Sequence, residues 1–72
     1  MQLKDVSKEG ATITMRGDEV GFLCSAINEA LAAVRKTEFK MRTGETPERA
    51  QSMFDQLVSV LRKIEAYEDG QT

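Results

Sequence analysis

Residues 38–42, Glu38-Phe39-Lys40-Met41-Arg42, decide the fold expected of this chain. Apolar and charged side chains alternate there with a period of two. That spacing puts Phe39 and Met41 on one face of a strand and Glu38, Lys40 and Arg42 on the other. Thr43-Gly44-Glu45 follows with turn composition, so the stretch is expected to be a third strand placed between two helices.

Downstream, Thr46 to Tyr67 carries a helix signature. Thr46 is a capping residue type, Pro47 suits the first helical position, and Glu48 favours the positive end of the helix dipole. Ala50, Met53, Phe54, Leu57, Leu61 and Ile64 recur at steps of three and four and form one apolar stripe. Upstream, Gly17-Asp18 opens another helix, with Asp18 expected as its cap and Glu19 in the first turn. Val20, Leu23, Ile27, Ala30, Leu31 and Val34 make its stripe, flanked by Ala26, and Arg35 and Lys36 close it. Gly21, Cys24 and Ser25 make a second, small flank. Glycine costs about 1 kcal/mol relative to alanine inside a helix, so close packing over Gly21 is expected.

The first sixteen residues read as a hairpin. Leu3–Val6 is β-compatible, Ser7-Lys8-Glu9-Gly10 is a turn, and Ala11 to Arg16 alternates, with Ala11, Ile13 and Met15 on one face. Leu3 and Val6 fall on opposite faces of an unbroken strand. Either one of them is exposed or a bulge beside Gly10 resets the register.

The expected fold is therefore α+β, in the order β-β-α-β-α, with one domain over residues 1–72. A three-stranded antiparallel sheet of order 2-1-3 carries both helices on one face. The other face displays Thr12, Thr14, Arg16, Glu38, Lys40 and Arg42 with Lys4, a polar and mostly basic surface. The last helix, about 30 Å long at 1.5 Å per residue, outreaches strands of roughly 17–20 Å. Leu61, Ile64 and Tyr67 on its overhang become candidates for an apolar partner-binding anchor, with Arg16, Lys40 and Arg42 as a polar rim or second face.

Composition narrows the chemistry. Of 72 residues 40% are hydrophobic and 31% charged, as in a folding domain rather than a disordered one. No run approaches a membrane span, and the start lacks the apolar core of a signal peptide, so a cytoplasmic location is expected. The single cysteine, Cys24, forms no internal disulfide and reads as a small core residue. With no histidine and one cysteine, no metal site, cofactor site or catalytic set is expected, and the chain reads as a non-enzyme. The net charge of −2 argues against a general nucleic-acid binder. Residues 1–44 carry seven basic and six acidic side chains and residues 45–72 three and six. The acidic excess thus falls on the last helix and tail, around Glu65, Glu68 and Asp69. A helix-turn-helix is disfavoured because about nine residues, with a strand-like run, separate the two expected helices.

The segments INEAL, from Ile27, and EFKMRTGETPERAQSMFDQL, ending at Leu57, resemble small, largely uncharacterised bacterial proteins. Those proteins show a hairpin, an "ALNEAL" helix, an "EF..RTG.T" strand-turn and a final "T.EEA..L...L" helix. The resemblance covers about half the chain and implies the fold. In size and class the chain also looks like immunity proteins of bacterial toxin systems. The function expected is a non-enzymatic protein-interaction module, with toxin neutralisation by surface blocking as its specific form. The partner is then a toxin, another protein or a second copy of the chain. The alternative is a small nucleic-acid-associated regulator using the basic sheet face.

Overall fold

The computed structural model describes residues 1–68, so the Asp69 part of the acidic tail lies outside the described residues. Two strands, β1 (Gln2–Ser7) and β2 (Gly10–Thr14), precede three helices, α1 (Gly17–Ala33), α2 (Lys36–Thr43) and α3 (Pro47–Glu68). The fold remains α+β, but among the described residues the sheet has two antiparallel strands and the helices number three. The three-stranded sheet of order 2-1-3 does not form.

The difference lies in residues 38–42, which are helical. At 100° per residue, Phe39 and Met41 point about 200° apart rather than to one side. Phe39 is accordingly buried at 2% exposure while Met41 stands at 85%. Helical spacing brings Glu38 to Arg42, Oε1 to Nε 3.4 Å, and to Arg35 at 3.8 Å, surface pairs that bias a short helix by only tenths of a kcal/mol. The Thr43 hydroxyl donates to the Phe39 carbonyl at 2.7 Å. Gly44 then ends the helix in the left-handed conformation at φ 84°, its N–H bonded to the Lys40 carbonyl at 2.8 Å.

Val34 and Arg35, both extended, separate α1 from α2. Helix α1 thus stops before Arg35 and Lys36, which were expected to close it. Its N-cap is Arg16 rather than Asp18: Asp18 and Glu19 lie in the first turn, and the Arg16 backbone N–H donates to Glu19 Oε1 at 2.8 Å. At the start of α3 the expected cap is present, with the Arg49 N–H donating to Thr46 Oγ1 at 3.2 Å.

The core sits along an antiparallel seam between α1 and α3, with α2 against the first part of α3. Val20 and Cys24 from α1, Phe39 from α2 and Ala50 from α3 are its buried members. Leu23, Ile27, Ala30 and Leu31 on α1 and Phe54, Leu57, Leu61 and Ile64 on α3 are half-buried beside them. Close approach of the helices falls at Gly17, where an added Cβ would lie 3.2 Å from Ile64 Cγ2. It was expected at Gly21, over which no described atom comes within 4 Å.

The hairpin stands apart from this seam. Leu3 pairs with Ile13 and Val6 with Ala11, and a register shift between Leu3 and Asp5 leaves Lys4 as the extra residue. The bulge therefore sits at Lys4 and not beside Gly10. It places Leu3, Val6, Ala11 and Ile13 on one face and Gln2, Asp5, Thr12 and Thr14 on the other. Among the described residues neither strand packs along a helix, and every residue of both strands is exposed. Helices were expected to cover the apolar face, and they pack on each other instead.

Candidate functional site

Where the end of α3 passes the start of α1, the chain forms an open groove whose lining includes Met15, Arg16, Gly21, Leu61, Ile64 and Tyr67. Antiparallel packing makes this site: Gly17 admits Ile64 closely, so α3 continues past the N-terminus of α1 and carries Tyr67 to the rim. Leu61 and Ile64 are half-buried in the seam, and Tyr67 is 70% exposed. Four of the six side chains singled out from the sequence, Leu61, Ile64, Tyr67 and Arg16, meet here.

Lys40 and Arg42 do not join them. Both ride on α2, and Arg42 pairs with Glu38. The basic sheet face that was to combine them with Lys4 and Arg16 is not assembled, because α2 is no strand and Arg16 lies beyond the end of β2. The separation between helices also differs from expectation: residues 44–46 alone join α2 to α3. That turn has helix-turn-helix length. Helix α3 carries Glu48, Asp55, Glu65 and Glu68 against Arg49, Arg62 and Lys63, a net charge of −1.

On the α1 side the polar rim of the groove is locked into local pairs, while Lys63, Glu65 and Glu68 line it from α3. Arg16 Nε and Nη2 meet Asp18 Oδ1 and Oδ2 at 3.0 and 2.7 Å. The hydrogen bond from Arg16 holds the Asp18 carboxyl below its usual range, and the same bond raises the guanidinium. Glu19 is lowered first by its hydrogen bond with the Met1 ammonium and next by the Arg16 backbone N–H. That ammonium contact ties the start of the hairpin to the first turn of α1. These carboxylates are held ionised, the opposite of the tuning a general acid needs. Cys24 is buried within α1. No cluster of three or more metal-ligating side chains occurs among the described residues, nor is any of their helices long and apolar enough to cross a membrane.

Gly21 and Met15 are among the contributors to the site that were not singled out from the sequence as a partner surface. Gly21 was noted as a packing glycine, and its half-buried position in the groove lining depends on the α1–α3 crossing. Met15 was assigned to the sheet, but it lies in the link between β2 and α1, half-buried at the root of the groove. The mid-helix glycine was the available signal for the first; periodicity held none for the second.

Fold and site together define a small α+β domain, a β-hairpin joined to a three-helix unit, with a largely apolar groove where α3 passes the start of α1. No family model matches the chain, and the searches of curated proteins and of solved structures return no match.

Proposed function

We propose that this chain is a non-enzymatic protein-interaction module that acts by covering part of a partner's surface, in the manner of a bacterial immunity protein blocking its toxin. The observation that carries this reading is the groove: Leu61 and Ile64 line an apolar floor, and Tyr67 projects 70% exposed at its edge. A projecting aromatic side chain beside an apolar floor is a common source of binding energy at interfaces. Arg16 supplies the polar rim, while Lys40 and Arg42 belong to a second face on α2.

The test is co-expression with the product of the gene immediately upstream, followed by co-purification and titration of the complex. A stable complex weakened about 30-fold or more by Tyr67→Ala, the scale of an interface hot spot, supports the reading. No complex with that product, or an affinity indifferent to Tyr67→Ala, removes the groove as the blocking surface.

A further inference from the structure

The hairpin is amphipathic, and nothing among the described residues covers its apolar side. Leu3, Val6, Ala11 and Ile13 share one face, with Val6 66% exposed. A lone two-stranded hairpin is marginal in water unless it gains strands or packs on a helix, and this one does neither among the described residues. A few residues away lies the groove over Gly21, where the space above a helix glycine is open. The chain thus carries an apolar ridge and an apolar furrow that do not meet each other.

Size supports the same conclusion. The chain exposes 5932 Å², whereas a compact monomer of its 8.0 kDa mass exposes about 4,450 Å². Its radius of gyration is 14.3 Å against about 11 Å for a compact domain of this length. The surplus is about 1,500 Å² per chain, or about 3,000 Å² for a pair, inside the range of about 2,000–5,000 Å² buried by permanent homodimers.

We infer that the occupant of the groove is a second copy of this chain: two protomers exchange hairpins about a two-fold axis, each seating Leu3, Val6 and Ile13 over Gly21 of its partner. Exchange in both directions closes the assembly, so it stops at two. Glycine at position 21 then has a reason the single chain does not provide, because any larger side chain fills the seat. The inference rests on the proposed interaction function and names a second copy as one partner of the same groove.

Sedimentation equilibrium of the full chain from 1 to 200 µM tests it, with circular dichroism confirming the helices of each variant. The wild type is expected to be dimeric. Val6→Glu with Ile13→Lys, on the ridge, and Gly21→Leu, in the furrow, should each raise the dimer dissociation constant 100-fold or more. Both alter positions that are open in the single chain, so the helical signal should persist. Mixing the two variants restores one intact ridge–furrow pair, and a heterodimer tighter than either homodimer is expected. A wild type monomeric at 200 µM overturns the exchange, as does a dimer untouched by the variants or a mixture without heterodimer. Each of these failures leaves the upstream-partner titration with Tyr67→Ala to be decided independently.

Discussion

Phe39 and Met41 differ most sharply between the alternating pattern and the folded chain. A strand would bury both; α2 buries Phe39 and exposes Met41. Phe39→Ala should therefore cost about 3–5 kcal/mol, the usual range for a buried phenylalanine, and in so small a core that is enough to leave the chain largely unfolded at 37 °C. Met41→Lys should stay within about 0.5 kcal/mol of wild type. Urea denaturation of the two variants checks this pair, and equal losses would restore the strand reading. Glu19 carries a second residue-level prediction. Its carboxyl is depressed in the folded chain from an ordinary value of 4.5 by the Met1 ammonium and the Arg16 N–H. A depressed carboxylate adds stability that is present above its ordinary value and lost as pH falls through the folded one. Thermal melts from pH 7 down to pH 3 should show a smaller acid-induced loss for Glu19→Gln than for wild type. The Glu19 side chain is still partly open to water, and solvent screening keeps the effect modest.

Helix α3 is the element whose limits were legible from local chemistry. The expected span Thr46 to Tyr67 and the observed Pro47–Glu68 agree because cap, N1 proline and stripe all act within the helix itself. Removing the cap in Thr46→Ala should destabilise the chain by about 1 kcal/mol, measured by the urea midpoint, while Thr46→Ser should retain most of that stability. Helix α2 was misassigned for an equally local reason. Five residues of alternating polarity satisfy a strand pattern and, with Glu38 and Arg42 four apart, a helical one as well. Short segments hold too few turns for periodicity to separate the two. Gly44 was read as a turn, and its role in ending a helix became apparent only once the preceding residues were helical.

At the scale of the molecule, the hairpin and the helical unit meet chiefly through the Met1–Glu19 contact and the short link at Met15 and Arg16. A hairpin held only by its own ladder opens readily, whereas one seated on a partner protomer is protected to the extent that dimer forms. Amide exchange should therefore show β1 and β2 weakly protected at low micromolar concentration and increasingly protected as concentration rises. The α1–α3 seam should remain the slower-exchanging region throughout. Hairpin protection independent of concentration would place its stabilising contacts within the single chain.

The sequence by itself determined the hairpin, the two long helices, most residues of their facing stripes (Met53 is exposed and Val34 lies just past the end of α1) and the burial of Cys24. Each of these follows from turn chemistry, capping or periodicity acting over a few neighbouring residues. Only the tertiary structure decided that residues 38–42 turn as a helix and that the helices cover one another while the apolar face of the hairpin stays bare. It also decided that Arg16, Leu61, Ile64 and Tyr67 converge while Lys40 and Arg42 do not. The physical reason is that Phe39 has one deep place to be buried, between helices distant in sequence, and occupying it selects the local conformation that a five-residue pattern leaves open.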